Sequence, residues 1–486
     1  MISPARQAAF DALRSIASGQ ADLGDALRRT RDPLEDPRDR ALATDLVLGT
    51  LRTRAALDYQ LQQFSARPLS RLDELVLDCL RLAAYQILYL SRLPMSAVVN
   101  DAVSMVKASR VRSAAPFANA VLRRLARSHD HLNWPSRPSV SNREEHRSAL
   151  VEFLSITCSH PPWLVDRWLE RYGEAATEEW LRFNNQAPAM TLATNRLRTT
   201  RDELATRLLA EDVRTVPTAF AAHGLTVVSG HALRTQAFRE GYCLVQDEAS
   251  QLVAELVDAQ GARSVLDACA SPGGKTVALA AQVEMADPPV ASAFRPMDMT
   301  VASAFRRKEG RVVATDVRRR RIRLLAETLQ RCQAQSVRVV QVSATDTLPF
   351  LEGVFDRVLV DAPCSGLGTV RRDPDIRWRR TESDLPAFSQ QQQDLLRRVA
   401  PTVSSGGRIV YSTCSSEPEE NEGVVSAFLA DHSDFSVLPI ASLPELSAAV
   451  RSLTTTAGFF RSQPTVGLEA FFAAVLQKRA VETERM

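Results

Sequence analysis

The chain has 486 residues and a mass of 53.6 kDa, which at roughly 100–200 residues per domain excludes one compact core and predicts two to four units. Hydrophobic residues make up 45% and charged residues 24%, a composition that can build packed cores and excludes a disordered or collagen-like chain. Lys and Arg number 60 against 57 Asp and Glu, a net charge of +3 that neither demands nor excludes an anionic partner.

Residues 1–135 carry helical periodicity almost throughout, as in Ala8, Leu13 and Ile16 and again in Leu75, Leu80, Leu82 and Ile87, and predict an all-helical domain. Its first 130 residues hold 19 Lys or Arg and 14 Asp or Glu, a local excess of five positive charges that suits either a solvated surface or a face for nucleic acid. The stretch 129–147, HDHLNWPSRPSVSNREEHR, has the composition of a linker. Residues 150–235 form a small α+β connector, with strands expected at 190–197 and 225–230 around a helix at 201–209. Trp163, Trp168 and Trp180 are expected in its core rather than as platforms for nucleobases.

From 236 to 480 short apolar runs recur at 264–268, 311–316, 337–342, 357–363 and 408–414, with helical segments at 276–282, 319–332 and 390–399 between them. Such alternation predicts a doubly wound α/β sheet of Rossmann-like form, whose ligands sit beyond the carboxyl ends of the strands. The hexapeptide VASAFR occurs twice, at 290–295 and 301–306; it reads as a short duplication in a loop, and no function is assigned to it.

The seven cysteines, Cys79, Cys158, Cys243, Cys269, Cys332, Cys364 and Cys414, include no CxxC pair, which points to a reducing, cytoplasmic setting. The N-terminal residues carry no apolar segment of signal-peptide length and no stretch reaches about 18 apolar residues, so neither export nor a membrane span is expected. The seven histidines show no metal-ligand spacing, and no metal is expected.

LDACASPGGKT, 266–276, follows a strand and opens a helix. Gly273 and Gly274 let backbone approach a ligand, and the helix N-terminus offers N–H groups to a carboxylate. A phosphate-binding GxxxxGK[ST] loop fails because Cys269 stands at its first glycine, and GxGxxG is absent. Asp316, at the end of the next strand, is placed to accept the hydroxyls of a ribose. Together these describe a nucleoside-containing cofactor without a pyrophosphate. Lys275 is one of only four lysines in the chain, with Lys107, Lys308 and Lys478, so its place inside this loop stands out. Cys364 in DAPCSG and Cys414 in YSTCS both follow predicted strands on the cofactor side, among small and polar neighbours. Either cysteine alone would read as a small buried hydrophobe; the pair points to reaction.

ASPGGKT, DAPCSGLGTVRRDPDIRW and YSTCSSEPEENE resemble, in order, the motifs of the RNA cytosine-5 methyltransferases that use S-adenosylmethionine and two cysteines, and QDEASQL and TNRL resemble further family elements. SRLPMSAVVNDAV and FANAVLRRL resemble the helical RNA-binding domain of the NusB family. The fusion is similar to the bacterial small-subunit rRNA cytosine-5 methyltransferases, and it implies methylation of a cytosine in 16S rRNA by a cytoplasmic monomer. The resemblance implies Cys414 as the nucleophile that adds to C6 of the base, Asp361 as the group at N3, and Cys364 as the base that removes the C5 proton. It places the cofactor on Cys269, Ala270, Ser271, Pro272, Gly273, Gly274, Lys275, Asp316 and Asp361. At the adenine the family's acidic residue is replaced by Ser343, with Asp346 three residues on, and either makes that contact. GLEAFF, 467–472, stands where the family has Asp-Gly-Phe-Phe. Arg371, Arg372, Arg377, Arg379 and Arg380 follow the Cys364 motif and are candidate contacts to RNA phosphates. A tRNA substrate, or an RNA-binding assembly factor with an inert catalytic domain, is the alternative; the intact cysteine pair disfavours the second.

Overall fold

The computed structural model describes residues 2–139, 141–286, 311–443 and 446–480; the VASAFR repeat lies outside the described residues. The chain divides into two compact units, Met1–Ala187 with Val370–Glu382, and Pro188–Thr369 with Ser383–Met486.

The first unit is helical. Asp22, Asp36 and Asp73 start the helices Leu23–Arg31, Pro37–Arg52 and Glu74–Tyr89 by accepting from the backbone N–H of Asp25, Arg38 and Leu75, which satisfies donors the first turn leaves orphaned. The apolar stripes of these helices meet in one core, where Leu46, Leu57, Leu80 and Leu122 are fully buried. Among the described residues of 129–142 there is no regular element, and the helices Arg143–Thr157 and Pro162–Asn185 follow. In the second of these Trp168 and Trp180 are buried and stacked, with ring centroids 4.7 Å apart, so both are core residues.

The excursion Val370–Glu382 belongs to this helical unit and is held there by Arg377. Its guanidinium is fully buried and donates to the carbonyls of Ser159 and Asn184 and to Oδ1 of Asn185. A group so enclosed is a structural donor and is withdrawn from the candidate phosphate contacts. Arg371 lies over the ring of Phe183 at 4.3 Å, and Arg379 is paired with the buried Asp375.

The second unit holds two sheets. In the smaller one, β1 (Thr191–Thr194), β2 (Arg214–Pro217), β3 (Gly224–Ser229) and β4 (Cys243–Val245) pair antiparallel in the order β2-β3-β1-β4. β2 and β4, of four and three residues, are too short to show a period in the sequence, and β2 is also largely exposed. The larger sheet contains β5 (Ser264–Asp267), β6 (Arg311–Asp316), β7 (Val337–Gln341), β8 (Phe355–Asp361), β9 (Val403–Thr413), β10 (Phe435–Val437), β11 (Phe460–Ser462) and β12 (Phe471–Lys478). Its order is β7-β6-β5-β8-β9-β12, parallel up to β9 and antiparallel at β12, whose far edge carries β10 and β11. Val265, Leu266, Val358, Leu359, Val360 and Ile409 are buried, as expected of parallel strands covered on both faces.

From β5 the chain winds outward through β6 and β7, then restarts at β8 on the other side of β5. The reversal opens a crevice at the carboxyl ends of β5 and β8, the general ligand position of such sheets. GLEAFF leads directly into β12, which pairs residue for residue with β9 from Phe472↔Thr413 to Gln477↔Arg408; the departure in sequence leaves the strand regular.

Candidate functional site

The loop after β5 turns into the helix Gly274–Ala286. Gly273 sits at φ +109°, and a Cβ there would lie 3.0 Å from Leu325; conformation and space both require glycine. Beside this loop is a cavity of about 280 Å³ lined by Cys269, Ala270, Ser271, Pro272, Gly274 and Lys275, with Asp267, Asp361, Gln246 and Phe238 among the other walls. Burial pushes the Asp267 carboxyl up to about 7, against the hydrogen bond it accepts from Thr276 Oγ1 at 2.7 Å. Burial likewise raises the Cys269 thiol, with the nearby carboxylates adding to it. Cys269 is therefore a neutral wall residue.

Lys275 Nζ crosses the crevice to Asp361 Oδ2 at 2.7 Å, and Ser412 Oγ donates to the other carboxylate oxygen at 2.8 Å. The first turn of one helix and the ends of two strands therefore fix a single carboxylate. β8 and β9 run parallel with Asp361 opposite Ser412, so the residues three and two positions further on, Cys364 and Cys414, leave the sheet side by side. Their sulfurs are 3.2 Å apart. The Cys364 thiol is pushed well up, first by its hydrogen bond with Cys414, then by burial and by the negative charges of Cys414 and Glu420. Gly368 completes the frame: its N–H donates to the Cys414 carbonyl at 2.9 Å and its carbonyl accepts from Ala470 N–H at 3.0 Å. A Cβ at this glycine would lie 2.0 Å from the Ala470 oxygen.

Asp316 lies outside the cavity lining, at the end of β6, where Arg321 Nε pairs with it at 3.0 Å and also ties the loop through a bond from its Nη2 to the Ser271 carbonyl at 2.7 Å. Ser343 and Asp346 are exposed in the loop after β7; the Ser343 hydroxyl accepts from the backbone N–H groups of Thr345 and Asp346. Five loop residues, Lys275 and Asp361 thus line one cavity, Cys364 and Cys414 follow the ends of β8 and β9, and Asp316 and Ser343 mark the neighbouring strand ends.

Sequence reading missed Ser412, Gln246 and Glu420. Ser412 and Glu420 stand inside the YSTCSSEPEENE motif and Gln246 opens QDEASQL, so motif membership was their only signal. Among the described residues no group of three or more His, Cys, Asp or Glu is placed to hold a metal ion, and no helix is long and apolar enough to cross a membrane.

The family model for 16S rRNA methyltransferase RsmB/F matches residues 299–477, that of the NusB family residues 3–127, and that of the RsmF/B-like ferredoxin-like domain residues 160–234. The chain is 31% identical over 483 residues to the probable ribosomal RNA small subunit methyltransferase B of Bacillus subtilis (strain 168), covering 98% of each. It is 34% identical to the probable ribosomal RNA small subunit methyltransferase B of Synechocystis, covering 90% of this chain and 91% of that one. It is 32% identical to the ribosomal RNA small subunit methyltransferase B of Pseudomonas putida, covering 87% and 88%. The fold is shared with the crystal structure of PH0851, at a TM-score of 0.77 and 24% identity over 98% of this chain and 99% of that one. It is shared over 67% of this chain with 97% of a methyltransferase homolog protein from Pyrococcus horikoshii, at a TM-score of 0.51 and 25% identity.

Proposed function

The chain belongs to the ribosomal RNA small subunit methyltransferase B family and is an S-adenosylmethionine-dependent RNA methyltransferase; on that premise we propose that it methylates C5 of a cytosine in 16S rRNA through a covalent bond between Cys414 and C6. The observation that carries the reading is the cysteine pair, 3.2 Å apart at adjacent strand ends beside the Lys275–Asp361 pair.

The residues fit the cofactor: Cys269, Ala270, Ser271, Pro272, Gly274 and Lys275 present the loop and the start of the helix to the cavity, with the Gln246 side chain beside Gly274. When bound, S-adenosylmethionine supplies the methyl group. The protein must make C5 of cytosine nucleophilic, and it does so by adding a thiolate at C6, which places electron density on C5. Cys414 forms the S–C6 bond with a sulfur electron pair, its own proton going to water. Asp361, held on both oxygens by Lys275 and Ser412, meets N3 as the ring takes up charge. Once C5 carries the methyl group, its proton passes to Cys364, the S–C6 electron pair returns to the thiolate of Cys414, and the 5-methylcytosine leaves. Cys364 takes part in this step as its thiolate, and the proton it gains from C5 is released to water before the next turnover. The helical first domain and its positive excess supply contact to rRNA, and the protein acts as a cytoplasmic monomer.

Bisulfite sequencing of rRNA from cells with and without the gene tests the substrate: one 16S cytosine should lose its mark, and an unchanged map, or loss in tRNA alone, refutes it. Cys364→Ala should accumulate a covalent protein–RNA adduct, whereas Cys414→Ala should form none. A Cys414→Ala enzyme with normal turnover would overturn the nucleophile assignment.

A further inference from the structure

One buried carboxylate serves both cysteine loops. Glu420 is fully buried, with no exposed surface. Its Oε1 accepts from the backbone N–H of Ser365 at 2.7 Å and from Gln392 Nε2 at 3.0 Å. Its Oε2 accepts from the hydroxyls of Ser365 and Ser415. Four donors on two oxygens satisfy an ionised carboxylate without a countercharge, and bonds to a charged acceptor are about twice as strong as neutral ones. Ser365 follows Cys364 and Ser415 follows Cys414, so each cysteine is one peptide bond from a residue tied to Glu420.

The direction of the bonds is fixed. Each serine hydroxyl has one proton, and both point at Oε2, although the two hydroxyl oxygens are only 3.1 Å apart. The Ser415 oxygen in turn accepts from Glu417 N–H at 3.1 Å. Gln392 continues the frame by donating to the Pro363 carbonyl at 3.0 Å, immediately before Cys364.

We propose that Glu420 is a positioning residue for the two-cysteine reaction, a staple between the loops after β8 and β9 that sets the spacing of Cys364 and Cys414. The proposal rests on the proposed two-cysteine function for its consequence, but the spacing itself is measurable without catalysis. Addition needs Cys414 at C6 while elimination needs Cys364 at C5 of the same ring, so a change of about 1 Å in their separation penalises the second step even when the first proceeds.

The test is thiol cross-linking of the full-length protein by diamide, which takes up the two hydrogens and two electrons as the sulfurs join, read by peptide mass spectrometry of Cys364 and Cys414. In the wild type the pair should close readily. Glu420→Ala should close at least tenfold more slowly, while Glu420→Gln, which keeps the shape and lets both hydroxyls turn to accept, should stay within threefold of wild type. Should Glu420→Ala fail to fold, Ser415→Ala carries the test by cutting the Glu420 bond to the Cys414 loop, along with the bond that Ser415 Oγ accepts from Glu417 N–H, and it should slow closure at least threefold. In methyl transfer, Glu420→Ala should lower kcat at an unchanged KM for S-adenosylmethionine, with Glu420→Gln partly restored. Wild-type closure rates in folded Glu420→Ala or Ser415→Ala overturn the proposal. Slowed closure in Glu420→Ala together with no RNA adduct from Cys364→Ala leaves the staple standing and removes the two-cysteine function instead.

Discussion

Lys275→Met removes the ammonium that faces Asp361 at 2.7 Å and keeps most of the side-chain length. At that separation two unit charges attract by about 1.5 kcal/mol in water and about 6 kcal/mol at an effective dielectric constant of 20. The Lys275 side chain is 11% exposed and that of Asp361 30%, so the pair lies between these limits, and desolvation of both ions offsets much of the gain. A net coupling of about 2 kcal/mol is expected, or roughly 30-fold in rate if it acts on the transition state. The assay is a double-mutant cycle on methyl transfer to 16S rRNA with Lys275→Met, Asp361→Asn and the two combined. Lys275→Met should lower kcat/KM by roughly 30-fold, and the combined variant should be no worse than Asp361→Asn alone, because Lys275 acts through the carboxylate. Effects that add within about 0.5 kcal/mol would show that the two side chains work independently and would refute the reasoning.

Three further outcomes follow from packing and charge. Gly368→Ala brings a Cβ to 2.0 Å from the Ala470 oxygen and 2.8 Å from the Cys414 oxygen, both backbone atoms, so thermal unfolding should show a loss of about 1–3 kcal/mol or more, accompanied by reduced methyl transfer. Arg377→Met leaves the Ser159 and Asn184 carbonyls unpaired inside the helical unit and should cost about 2–4 kcal/mol in urea unfolding; unchanged stability with weakened rRNA binding would restore it as a phosphate contact. Asp267, pushed up to about 7, holds its proton in the folded state after the unfolded chain has released it. Between about pH 4 and pH 7 it therefore makes stability fall as pH rises, and Asp267→Asn should flatten that part of the decline in denaturant titrations across this window. Decline left in the variant belongs in part to Glu255, also raised to about 7 by burial.

The reaction centre was legible because its parts lie close to strand ends with a readable period. RVVATD and RVLVDAP each present three or more β-branched or apolar residues in a row and SVLD presents two, and such runs need only local sequence to be recognised. The pairing that makes them a site is not local. Nothing in the order of residues says that Asp361 faces Ser412, or that Lys275 reaches across 86 positions to Asp361. Glu420 was invisible for another reason: as one of 57 acidic residues it differs from a solvated glutamate only in what closes around it. Arg377 was misread for the same cause, since an arginine in an arginine-rich stretch carries no mark of burial. Ser343 and Asp346 stood as alternatives on sequence, and the turn they share spends the Ser343 hydroxyl on backbone.

At Val370–Glu382 the polypeptide leaves its second unit just after the Cys364 loop, spends thirteen residues in the first, and returns before the helix Leu385–Val399. A cut between residues 187 and 188 does not yield two self-sufficient pieces, because the helical part would lose the guanidinium that fills its polar interior. Modules that can be exchanged by recombination meet at one junction, and these meet at three. Separating the two units therefore takes three breaks in the chain, one of them just after the loop that carries Cys364.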